Sequence, residues 1–261
     1  MRRLLHTIIS LAFVLLSGFT ASAFAETVRI AAASDLKFAL EKLADDYARA
    51  TGHKLGLTFG SSGLLATQIL HGAPFQLFLS ADESYVAELS AAGKTLDAGL
   101  LYALGRLVLI APKGGRLVPD AELQGVAAML KSANPGRFAI ANPEHAPYGK
   151  RAEEVLRARG LWQDLQPYLV LGENVSQAAQ FATSGSAQGG IVALSLVKTP
   201  QVESRVNYVM LPDTLHQPLR QRMVLMKNAG PVARDFYRYL QQPAARAVFQ
   251  RYGFELPQEP H

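Results

Sequence analysis

The sequence predicts an α/β fold with parallel-rich mixed sheets, on three observations. Nine short apolar runs read as strands, at residues 27–33, 54–59, 75–81, 106–111, 137–141, 168–172, 190–194, 208–211 and 221–227. Segments with apolar residues at helical spacing lie between them. Several of these strands end in a turn rich in serine, asparagine or proline that opens the next helix. Strands alternating with helices are the pattern of a sheet whose parallel strands are joined by helical crossovers.

The chain begins with Arg2 and Arg3, an apolar run over 11–19 and the small-x-small sequence Ala23, Phe24, Ala25, which together read as a secretory leader over 1–25. The run is shorter than the roughly 20 residues that span a bilayer, so the reading is a soluble, exported product starting at Glu26, in the periplasm. The chain carries 26 basic and 21 acidic residues; the leader holds two arginines and no acid, leaving 24 against 21 in the mature protein. So mild a basic excess gives little support to nucleic-acid binding. With no cysteine, the protein has neither disulfides nor thiolate metal sites, and core burial must hold it together. Its 49% hydrophobic content is enough for one large or two modest domains.

After the first strand, Leu36, Leu40, Leu43, Ala44 and Tyr47 fall on one face of a helix over 36–50, with Gly52 as its stop. The junction before it, Ala31 to Leu36, carries Ser34, and the next strand ends at Phe59 before Gly60, Ser61, Ser62 and Gly63. Such turns aim free backbone N–H groups and a hydroxyl at solvent, at a helix end bearing roughly half a positive charge. They are ready anion sites, although each serine can equally cap its own helix. In the second half the loop 142–149, stiffened by Pro143 and Pro147, leads into a helix over 149–160, where it presents the amides of Tyr148 and Gly149. The charged residues of that helix, Arg151 among them, read as a solvated face. A fourth turn runs from Gly172 to Ala178. The tail reads as helices over 231–240 and 244–252, broken at Pro243, and a frayed end over 257–261.

Taken in order, Ala-Ala-Ser at 32–34, Phe-Gly-Ser-Ser-Gly at 59–63, Gly-Ala-Pro at 72–74, Ser-Ala-Asp at 80–82, Asn-Pro-Glu-His at 142–145, Gly-Glu-Asn-Val at 172–175 and Arg-Tyr-Gly-Phe at 251–254 resemble the periplasmic molybdate-binding (ModA) family of bacterial ABC importers. The resemblance spans nearly the whole mature chain. It implies a two-lobed periplasmic binding protein of type II, with a ligand cleft between lobes that close over a tetrahedral oxyanion. The first lobe would take residues 26–104 and 213–261, the second 105–212, with hinges near Gly105 and Arg106 and near 212–214. Ser34 and Ser62 would donate hydroxyl and amide hydrogens, and Tyr148 and Val175 backbone amides. Further contacts would come from Ala33, Asp35, Ser61, Gly149 and Ala193. At Ala193 some members carry a tyrosine, whose hydroxyl this chain lacks. The implied partners are the oxyanion and a permease with its cytoplasmic ATPase; the protein would be a monomer without a cofactor.

Asp35 sits awkwardly in such a site. A carboxylate beside a dianion repels each unit of its charge by ~4 kcal/mol at 4 Å and an effective dielectric of 20. Its side chain is therefore expected to turn away, toward Lys37 or Lys42; if it points inward, the ligand carries a proton. Molybdate, tungstate and sulfate ask only for donors, whereas hydrogen phosphate also asks for an acceptor. Sulfate and phosphate remain alternatives, and a hydrolase of α/β fold is a further one. No Gly-x-Ser-x-Gly, Walker loop or His-Glu-x-x-His supports an enzyme. The pair Glu144 and His145 reads as structural, and Trp162 as packing.

Overall fold

The structure, a computed structural model, describes residues 28–257. The expected leader over 1–25, the start at Glu26 and residues 258–261 of the tail lie outside them. The described chain forms two five-stranded sheets. The first has the order β2 (Leu55–Gly60), β1 (Val28–Ala33), β3 (Leu77–Ser80), β10 (Leu219–Leu225), β4 (Leu100–Gly105). The second has the order β7 (Leu169–Gly172), β6 (Phe138–Ala141), β8 (Gly189–Ala193), β5 (Leu107–Pro112), β9 (Val206–Met210). Both are mixed. In each, three neighbouring strands are parallel (β2, β1, β3 and β7, β6, β8), and an antiparallel strand, β10 or β5, joins them to a fifth.

Nine of the ten strands coincide with the expected runs to within two residues at their ends. The tenth, β4, was not anticipated. Its apolar run is separated from β5 by Arg106 alone, so two strands of different sheets read as one stretch. The chain thus crosses between sheets at Arg106, and returns between Met210 and Leu219. Arg106 ties the crossings together: it pairs with Asp213 of the return segment at 3.1 Å and with Glu255 near the C-terminus.

Alternation along the strands decides how the first sheet is covered. Ile30, Ala32, Leu77 and Leu79 face a layer made by the helices Lys37–Thr51, Pro231–Tyr239 and Pro243–Arg251, whose Leu40, Leu43, Tyr47, Phe236 and Phe249 pack there. Ala31, Phe78 and Val224 face the other way, against Leu65, Ile69, Val86 and Leu89 of the helices Ser62–Leu70 and Glu83–Ala91. The helix Lys37–Thr51 buries the expected face and stops at Gly52, whose φ of 77° suits glycine. The tail breaks between its two helices as expected, and Pro243 opens the second at its first position, where a missing N–H costs nothing. The second sheet belongs to one continuous core with Trp162 at its margin. Among the described residues, no helix is long and apolar enough to cross a membrane.

Candidate functional site

Parallel strands put their carboxyl ends on one edge of a sheet, and the two sheets turn these edges toward each other. Ser34 follows β1, Ser61 and Ser62 follow β2, and Ala81 follows β3. From the other side Ala146, Pro147 and Tyr148 follow β6, and Val175 follows β7. Together with Ala33, Asp35 and Gly60 they line a small cavity of about 10 Å³. That is near the lower limit for holding one water-sized body. Organic ligands occupy hundreds of Å³, so only a compact species of a few atoms, admitted by small movements of the walls, suits this space.

Neither key serine caps its own helix. The Ser62 Oγ accepts the Ala81 N–H at 2.9 Å, and the Ser34 Oγ accepts the Ser176 N–H from across the cleft at 3.3 Å. With a lone pair committed to an amide, each hydroxyl keeps its hydrogen for another acceptor. Ser61 occupies the cap position before Ser62 but pairs with His145 Nδ1 of the opposite lobe at 2.9 Å. The Gly63 N–H donates to the His145 carbonyl at 3.0 Å. A Cβ on Gly63 would lie 2.7 Å from that oxygen, so only glycine permits this approach. His145 thus ties the serine turn of the first lobe to the second lobe through both its ring and its carbonyl.

The second lobe supplies backbone. In the helix Val175–Thr183 the cap Asn174 accepts the Gln177 N–H at 3.1 Å and the Ser176 N–H goes to Ser34, which leaves the Val175 amide for the cavity. In the helix Pro147–Ala158 the first residue has no N–H, so Tyr148 carries the first free amide. Gly149 is not a lining residue. Its α-carbon packs so closely on β6 that a Cβ would stand 2.2 Å from the Ala141 oxygen, and this is what its glycine serves. Ala193 is likewise absent from the lining; it ends β8 and precedes the short helix Leu194–Val197, deep in the second lobe's core.

Asp35 does not turn to Lys37 or Lys42. Lys42 pairs with Asp46 and Lys37 lies over the Phe38 ring, whereas Asp35, in a tight turn whose residues are all buried, is 1% exposed. Its Oδ2 receives the Gln221 side-chain N–H at 2.6 Å, its Oδ1 has no hydrogen-bond partner among the described residues, and its backbone oxygen receives the Ser195 hydroxyl at 2.7 Å. Burial pushes the carboxyl up to about 6 from an ordinary 3.8, against the lowering pull of Gln221 and Tyr148. The same Gln221 bonds Tyr148 Oη at 3.2 Å and accepts from Tyr102 Oη at 2.7 Å. Both phenols are held well above their usual range by burial and then by Asp35.

Sequence reasoning missed Gln221, Ser176 and Ser195 as cleft residues. A glutamine inside an apolar strand was the one signal available for the first. It also misplaced Arg151, which is buried and bridges the lobes to Asp82 at 2.9 Å while holding Glu154 at 2.6 Å. That pair lines a wider opening of about 830 Å³ at the cleft mouth, where Arg220 and Arg222 both hold Glu83. The three arginines there are already paired. Among the described residues, no lysine, arginine or histidine lines the small cavity, and no cluster of metal-ligating side chains occurs.

Residues 28–255 match the family model described as bacterial extracellular solute-binding protein. The chain is 36% identical to the molybdate-binding protein ModA of Azotobacter vinelandii over 238 residues, 90% of this chain and 92% of the relative. It is 34% identical to that of Rhodobacter capsulatus, covering 93% and 94%. Among solved structures, the Azotobacter vinelandii periplasmic molybdate-binding protein superposes with a TM-score of 0.81 at 31% identity, covering 88% of this chain and all of that one.

Proposed function

We infer what this protein does from one premise: the chain belongs to the bacterial extracellular solute-binding proteins and, among them, to the ModA family. It is a binding component of a transport system, not an enzyme. We read it as the periplasmic receptor, exported by the leader over 1–25, that captures molybdate, and tungstate with it. As a monomer it hands the anion to an ABC permease and its cytoplasmic ATPase. It needs no cofactor.

One observation carries the ligand class: a small cavity lined by Ser34, Ser61 and Ser62 of one lobe and by the helix starts at Tyr148 and Val175 of the other, with no cation among its described lining residues. Ser34, Ser62, Tyr148 and Val175 are its proposed donors, with Ala33, Asp35 and Ser61 beside them. A neutral donor set avoids the desolvation cost of burying lysine or arginine. At about 1.5–3 kcal/mol for each hydrogen bond to a charged group, six or seven such bonds give roughly 9–21 kcal/mol, which over most of that range exceeds the ~8–12 kcal/mol of micromolar to nanomolar affinity. The surplus covers ligand desolvation and lobe closure. Asp35 at the wall supports one second reading, hydrogen phosphate, which would use the carboxylate as an acceptor.

Calorimetric titration of the mature protein with molybdate, tungstate, sulfate and phosphate tests the reading. Molybdate and tungstate are expected to bind tightest. Sulfate or phosphate winning, or no heat with any of the four, would overturn it.

A further inference from the structure

We propose that Asp35 is a proton-linked specificity residue: when a fully deprotonated oxyanion closes into the cavity, the carboxyl takes up one proton from solvent and offers an O–H to the anion. The inference rests on the oxyanion reading above. Asp35 lines the cavity, is 1% exposed, and has one oxygen with no hydrogen-bond partner among the described residues. Gln221 of β10 holds its side chain at 2.6 Å, and the Ser195 hydroxyl of the helix Leu194–Val197 holds its backbone oxygen at 2.7 Å, so the turn that carries the carboxyl is anchored across the cleft.

Among the described residues, the groups that face it are neutral: Gln221, Tyr102 of β4 and Tyr148 of the helix Pro147–Ala158, with Ser195 on its backbone oxygen. Ser176, from the helix Val175–Thr183, adds only a hydroxyl bonded to the Ser34 carbonyl. No cation offsets a carboxylate–dianion repulsion here. Protonation removes that repulsion and turns the unpartnered oxygen side of the carboxyl into a donor. The uptake balances simply: solvent gives one proton as the anion enters and recovers it as the anion leaves. Burial already holds the proton up to about 6, and a dianion in contact raises that further.

The sign follows. Below pH about 6 the carboxyl is protonated with or without anion, and affinity is flat. Above it, each rise of one pH unit weakens binding about tenfold, until the proton is lost from the loaded form as well. The site thereby prefers an anion without a proton of its own, because hydrogen phosphate would bring a donor to a place that now holds one.

The test is titration of the mature chain with sodium molybdate at pH 7.5 in two buffers of different ionisation enthalpy, and across pH 6 to 8. We expect uptake of about one proton per anion and the falling affinity just described. Asp35→Asn is expected to exchange no proton, to show a flat profile, and to bind roughly hundredfold tighter than the wild type at pH 8. Molybdate binding without proton uptake, or uptake that persists in D35N, overturns the inference and leaves the oxyanion reading standing. Silence toward every oxyanion removes both. If D35N does not fold, the wild-type proton count decides alone.

Discussion

The first lobe meets the cavity with side chains and the second meets it with backbone. Ser34, Ser61, Ser62 and Asp35 come from the ends of β1 and β2, while Ala146, Pro147, Tyr148 and Val175 sit at helix starts whose amides face inward. A hydroxyl is specified by residue identity. An amide is specified by where a helix begins, so many side chains could sit above it. The first lobe can therefore be tuned by substitution, whereas the second holds its donors as a property of the fold. The packing runs parallel to this: the first sheet is covered by two cores, one with contacting rings such as Tyr47 on Phe236, while the second lobe has one largely aliphatic core.

The sharpest way to break that division is Ser34→Ala with Ser62→Ala. Two hydrogen bonds to a charged ligand are at stake, so molybdate affinity should fall by about 3–6 kcal/mol, read by calorimetry, with the circular dichroism spectrum unchanged. Some stability is lost as well, because the Ala81 N–H gives up its Ser62 partner. An unchanged affinity would take both hydroxyls out of the site.

Asp35 tests the same lobe through stability. Its folded pKa stands above the ordinary value, so the folded state favours the protonated form, and the protein loses stability as pH rises from about 4 through about 6. The shift corresponds to roughly 3 kcal/mol at neutral pH. Asp35→Asn should match the wild type near pH 4 and melt roughly 5–10 °C higher at pH 7.5 without ligand. Equal melting at both pH values would mean that burial does not penalise this carboxylate.

These contrasts explain what the sequence could and could not reveal. Strands, the buried face of Lys37–Thr51 and the serine turns were legible because period and turn chemistry are local. The motif order identified the family. Asp35 was misjudged because its nearest sequence neighbours include lysines, while its actual partner Gln221 lies far along the chain, on the returning strand. Arg151 was misread for the same reason: helical spacing pairs it with Glu154, but only the closed lobes bring Asp82 to it. The loop sequence points to Gly149 as a donor, whereas the close approach of Ala141 governs it. Contacts made across the cleft leave no local trace.

The second lobe's half of the comparison is sharpened at Val175. It is the first residue of its helix, where proline fits, and Asn174 before it is extended at φ −146° and ψ 173°, a conformation proline tolerates in its neighbour. Val175→Pro thus deletes one N–H and keeps both the helix and the Asn174 cap. Val175→Ala keeps the N–H and deletes buried side chain, which weakens the second lobe's core without touching the donor. If the amide is what matters, the proline variant loses about 1.5–3 kcal/mol of molybdate affinity relative to the alanine variant, roughly ten- to hundredfold, while the alanine variant has the lower melting temperature. The reverse order in affinity would give the valine side chain the role assigned to its amide, and the two lobes would then meet the anion in the same way.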